Sequence, residues 1–144
     1  MENNSIINAV KRVERAGSEN SKVTEKLKTA CIELGEFIEK QVPTNIKLPR
    51  DYIVRTFDST YYLGKIDYDA RQEDVDWING EPYAPARLIT NKYNLPTREI
   101  CLEFAKDISE GLLDEIAEFL EDRIKKEEEA INIIENIIIK EEGE

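Results

Sequence analysis

Asp67 and Asp69 come closest, of all the residues in this sequence, to the type and spacing that chemistry requires. They stand in KIDYDARQEDVDWINGEPY, residues 65–83, a stretch with six carboxylates and three large aromatic side chains. On a β-strand, residues two apart face the same side at roughly 7 Å, and carboxylates so placed can hold Mg²⁺ for phosphodiester or nucleotide hydrolysis. The parts that would complete such a site do not accompany them. No glycine–serine turn precedes the pair, no carboxylate-x-Lys follows on a second strand, and the chain has no histidine to act as a base. A calcium loop needs Gly at its sixth position, and counting from Asp67 that place holds Gln72. The simpler expectation is a strand in which Tyr62, Ile66 and Tyr68 pack while Lys65, Asp67 and Asp69 alternate outward into water. A Mg²⁺-dependent hydrolase using Asp67 and Asp69 is the alternative. Trp77 and Tyr83 in the same stretch, and Arg87 just after it, are residue types that anchor protein interfaces.

Other chemistries lack their residues. Without histidine, a serine or cysteine nucleophile would depend on a lysine, and neither Ser59 nor Cys101 has one placed nearby in sequence. The six glycines are scattered singly, so neither GxGxxG nor GxxxxGK[ST] occurs and no phosphate-cradling loop is expected. Cys31 and Cys101 lie seventy residues apart, which is neither a CxxC motif nor half of a zinc site. They are expected as buried thiols, with a disulfide between them left open. No cofactor is expected.

The elements that must position these residues follow from the prolines. All five (Pro43, Pro49, Pro82, Pro85 and Pro96) fall in one central window between proline-free, periodic flanks. Proline breaks helices and avoids central strands, so the order is helical, then sheet, then helical. The boundaries are 1–42, 43–96 and 97–140, within one domain spanning 1–144. In the first part, Ile6, Val10 and Val13 predict a short helix closing near Gly17. After the polar GSENS, Val23, Leu27, Cys31, Leu34 and Ile38 predict a second helix that stops before Pro43. In the window, YIVRTF and TYYLGKIDY read as a hairpin, and Asn79-Gly80 between DVDWI and EPYA is a strong two-residue turn signal. A small antiparallel sheet of two to four strands is expected, with Pro82 and Pro85 confined to its edge.

In the last part, Cys101, Ala105, Ile108, Leu112, Ile116 and Phe119 keep one helical phase across Gly111, which predicts a single long helix. The charged KKEEE at 125–129 interrupts the stripe before AINIIENIII resumes it, with six isoleucines in nine residues. A helix from 97 to 140 would be about 65 Å long. That exceeds a domain of this size, so the helix either bends back near 125–129 or its end leaves the body. The fold class is therefore α+β: two N-terminal helices, a small antiparallel sheet and a long C-terminal helix.

Charge narrows the partners. The net charge is −11, carried mostly by residues 98–144, which hold six basic and sixteen acidic side chains. Nucleic-acid binding needs clustered Lys and Arg, so no direct nucleic-acid contact is expected. Lys11, Arg12, Arg15, Lys22, Lys26 and Lys28 lie on the polar faces of the two expected N-terminal helices and can balance the acidic helix, within the chain or across a dimer. No apolar stretch reaches the ~20 residues of a membrane span, and MENNSIINAV lacks the pattern of a signal peptide, so a cytoplasmic protein is expected. The expected function is non-catalytic: an interaction or assembly protein that self-associates as a homo-oligomer through Ile131, Ile134, Ile137 and Ile138. An acidic helix that occupies a nucleic-acid-handling protein is a further alternative.

Overall fold

The computed structural model describes residues 2–57, 60–68, 76–78, 81–83, 85–91 and 95–143, with the side chains at 2–3, 57, 76–78 and 81–83 left aside. Helix α1 spans Glu2–Gln41. Among the described residues six strands follow: β1 (Ile46–Lys47), β2 (Tyr52–Phe57), β3 (Thr60–Ile66), β4 (Asp76–Ile78), β5 (Glu81–Tyr83) and β6 (Ala86–Leu88). A 3₁₀ turn, Pro49–Asp51, lies between β1 and β2. Helices α2 (Arg98–Ser109) and α3 (Leu112–Glu142) complete the chain. This is the expected α+β architecture, with a four-stranded antiparallel sheet in the order β1-β2-β3-β6 and a separate β4-β5 hairpin. In the hairpin Ile78 pairs with Glu81, which leaves the two-residue connection that Asn79-Gly80 predicts; the conformation of those two lies outside the described residues. Both strands of a two-stranded ribbon are edges, which accommodates Pro82.

Helical boundaries differ from expectation twice, in opposite senses. One helix replaces the expected N-terminal pair, running through Gly17 and GSENS without a break. Nothing lies within 4 Å of where a Gly17 side chain would begin, so this stretch meets no neighbour that could interrupt it. A mid-helix glycine costs ~1 kcal/mol, too little to stop a helix of forty residues. Conversely, the expected single C-terminal helix is split. Gly111 takes φ +109°, a left-handed conformation open chiefly to glycine, and α3 restarts immediately after it. From there α3 runs uninterrupted through 125–129.

Cross-strand partners share a face, so the register fixes what meets the helices. Tyr52 and Val54 on β2 pair with Lys65 and Leu63 on β3, and Lys65 pairs with Arg87 on β6. On this side Tyr52, Val54 and Leu63 pack with Cys31 and Ile38 of α1, Ile100, Cys101 and Phe104 of α2, and Leu112 and Ile116 of α3. The α2 face that is buried centres on Ile100, Phe104 and Asp107, whereas Ala105, expected inside, is exposed. The other sheet face is covered too, since Ile53, Arg55, Tyr62 and Ile66 are all buried. A two-sided sheet corrects the simple alternation read from the sequence: Lys65 turns to the helices rather than to water, and Tyr68 is exposed rather than packed. Cys31 and Cys101 are both free and buried, with the Cys31 thiol donating to the Cys101 carbonyl at 3.8 Å. Burial is the first reason the Cys31 thiol is pushed up to about 12, and it is inert at neutral pH.

Candidate interaction surface

The sequence around Pro49 builds an anchor for the C-terminal helices. Arg50 and Asp51 take φ of 58° and 65°, left-handed conformations that cost an L-residue roughly 1–2 kcal/mol each. A hydrogen bond from Leu48 N–H to the Tyr52 carbonyl, at 2.7 Å, closes the loop around them. The strain is offset by what the two side chains reach. Arg50 Nε donates to Glu115 at 2.7 Å, Nη1 to Glu110 at 3.2 Å and to Asp107 at 3.5 Å, and Nη2 to the Glu110 carbonyl at 3.3 Å. Only the planar guanidinium fork can serve carboxylates on both sides of a helical corner at once. Asp51 in turn takes Lys47 at 3.1 Å and the Tyr68 hydroxyl at 3.1 Å.

Beside this clamp the sheet presents the row Tyr52, Lys65 and Arg87 to two α2 carboxylates, Glu103 and Asp107, one turn apart. Asp107 is 7% exposed and accepts from the Tyr52 hydroxyl at 2.6 Å and from Lys65 at 2.9 Å. Glu103 bridges Lys65 at 3.0 Å and Arg87 at 2.7 Å. Burial pushes both carboxyls up, but the donors around them more than offset it, and both Asp107 and Glu103 end below their ordinary range. Tyr52 moves the other way: its burial and the Asp107 charge both oppose a phenolate. The result is a fixed ionic network of neutral tyrosine, three cations and four carboxylates. It locks β2, β3 and β6 to α2 and fixes the corner from which α3 departs.

From that locked body two helical arms project. Every described side chain from Asn4 to Val23 on α1 is exposed, and so is every one from Ile124 to Gly143 on α3. On α3 the arm carries Ile131, Ile133, Ile134, Ile137, Ile138 and Ile139, each between 48% and 63% exposed. On α1, Ile6, Ile7, Val10 and Val13 are exposed to a similar degree. Exposed ion pairs such as Lys126–Asp122 at 2.9 Å support the α3 arm, at a few tenths of a kcal/mol each. A helical stretch of this length without tertiary contacts is marginal in water, so such arms call for a covering surface.

The candidate residues read from the sequence separate accordingly. Ile131, Ile134, Ile137 and Ile138 come together on one exposed arm. Arg87 belongs to the ionic network through Glu103. Trp77 and Tyr83 sit on paired strands β4 and β5, their side chains outside the described residues. Asp67 donates its backbone N–H to the Pro85 carbonyl at 2.7 Å at the end of β3, while Asp69 lies outside the described residues. Among the described residues no three His, Cys, Asp or Glu side chains converge as metal ligands, and no helix is long and apolar enough to cross a membrane. The anchoring residues Arg50, Tyr52, Lys65 and Asp107 escaped the sequence reading. One signal was available: Asp107 follows Ile100 and Phe104 at spacings of four and three, a carboxylate on a buried helical stripe. No family model, curated protein or solved structure matches the chain.

Proposed function

We propose that this chain is a non-catalytic assembly protein that associates with copies of itself through the outer half of α3. The observation that carries the reading is the isoleucine-rich arm from Ile131 to Ile139, held in water on a helix whose base is locked into the body. Burying an isoleucine fully is worth ~1.5–3 kcal/mol, and these side chains have gained about half of that. A monomer rarely leaves so contiguous an apolar surface uncovered, and a two-fold pair is the commonest solution. The ionic network supports the same reading, because its groups are paired with one another and hold the helices at a set angle.

Sedimentation velocity over a concentration series tests this. The full chain is expected to pass from monomer to a discrete oligomer as concentration rises. Replacing Ile131, Ile134 and Ile138 by Gln is expected to leave a folded monomer with an unchanged near-ultraviolet spectrum. A wild-type chain that stays monomeric to sub-millimolar concentration would overturn the proposal.

A further inference from the structure

The surface that receives the α3 arm can be named if the chain self-associates as proposed. We infer that it is the outer half of α1 on a second copy. Three observations point there. The first is charge: residues 4–23 of α1 carry four basic and two acidic side chains, whereas residues 124–143 of α3 carry three basic and six acidic ones. Pairing α3 with α3 would bring two acidic arms together, and the conflict is systematic. Asp114, Glu121, Glu128, Glu135 and Glu142 recur every seven residues beside the stripe Leu120, Ile124, Ile131, Ile134 and Ile138. In a paired-helix seam those positions flank the contact, where like charges select against a partner.

The second observation is spacing. Because α1 is one continuous helix, Ser5, Ala9, Arg12, Ala16, Glu19 and Val23 fall on a single line at alternating steps of four and three, with Asn8, Arg15 and Lys22 recurring every seven residues beside it. On α3 the positions Leu120, Ile124, Glu127, Ile131, Ile134 and Ile138 alternate in the same way. This is the repeat that lets two helices keep a common seam over many turns. The third is shape. The α1 arm carries a shallow depression lined by Ser5, Asn8, Ala9, Arg12, Val13 and Ala16, three of them small side chains. The α3 arm offers the opposite relief, β-branched isoleucines beside glutamates. Isoleucines seat in the depression while Arg12 meets the acidic row. Two such contacts related by a two-fold axis close a dimer in which each copy gives one arm and receives the other.

Charge exchange on full-length chains tests the pairing. One variant carries Lys11→Glu, Arg12→Glu, Arg15→Glu and Lys22→Glu; the other carries Glu121→Lys, Glu128→Lys, Glu135→Lys and Glu142→Lys. All eight sites are exposed, and helicity by circular dichroism checks that both arms remain formed. Each variant alone is expected to self-associate at least tenfold more weakly than wild type. An equimolar mixture is expected to regain a mixed dimer, seen by sedimentation with one variant labelled. If the α1 variant self-associates as well as wild type, α1 is not the receiving surface and this inference falls while self-assembly stands. If both variants weaken but their mixture does not recover, the pairing is likewise wrong. A wild-type chain that never associates removes the proposed function and the inference with it.

Discussion

Removing the Asp107 carboxylate should loosen the anchor from which α3 departs, and the structure sets the size of the effect. Asp107→Ala leaves Arg50 with Glu110 and Glu115, and Lys65 with Glu103, so neither cation is orphaned. The Tyr52 hydroxyl fares worse. Tyr52 is fully buried and donates to Asp107 at 2.6 Å, so deleting that acceptor strands a polar group in the core at a cost of ~1–3 kcal/mol. Weakening the partly buried Lys65 adds a further ~1 kcal/mol, for a total of roughly 2–4 kcal/mol. In a chain of this size that corresponds to a fall in Tm of about 7–13 °C. Calorimetry or denaturant unfolding, at one fixed protein concentration, reads it. A double-mutant cycle isolates the cause. Tyr52→Phe should cost ~1–2 kcal/mol in the wild-type background and almost nothing when Asp107 is already alanine, because the stranded hydroxyl is then removed. Equal costs of Tyr52→Phe in both backgrounds would show that the pair is not coupled and would refute the reasoning.

The same network sets a pH dependence and the glycines set a steric one. Asp107, Glu103 and Asp51 titrate below their ordinary range in the folded chain, so on acidification the unfolded chain takes up protons first. Their contribution is present above about pH 4 and is lost as pH falls through their folded values, and the stability gap between wild type and Asp107→Ala should shrink between about pH 5 and 2. Glu39 has the opposite sign, since burial raises its carboxyl, and it opposes the loss in acid. A gap that stays constant to pH 2 would contradict this. Gly17→Ala, on the open side of α1, should stabilise by ~0.5–1 kcal/mol. Gly35→Ala places a carbon 2.7 Å from Thr90 Cγ2 and should destabilise by ~1–3 kcal/mol, with denaturant midpoints as the measure of both.

The two helical boundaries show what periodicity can and cannot carry. Across GSENS the apolar positions give way to Gly17, Asn20 and Thr24, and the change of composition suggests a break. The helix continues because that segment lies outside the chain's own core, and a change of composition there does not end it. Across Gly111 the apolar phase is kept and suggests continuity, yet the helix breaks. There the phase reflects where the core lies: Ile108 and Leu112 both face it from separate helices. Sheet strands and the hairpin were legible because β-branched runs and Asn-Gly turns are local signals. The ionic network was not, since Arg50, Lys65 and Asp107 are brought together only by β2–β3 register and by packing of α2.

The corner at Gly111 has a mechanical consequence. Helix α3 has 31 residues and is about 46 Å long, so a rotation of about 5° at its base swings its far end by roughly 4 Å. A displacement of that size approaches one helical turn and is enough to shift one isoleucine out of the place meant for its neighbour. Angular tolerance at the base must therefore be small for the tip to register with anything. The clamp of Arg50 on Glu110 and Glu115, astride the corner, acts as the fixed end of a lever.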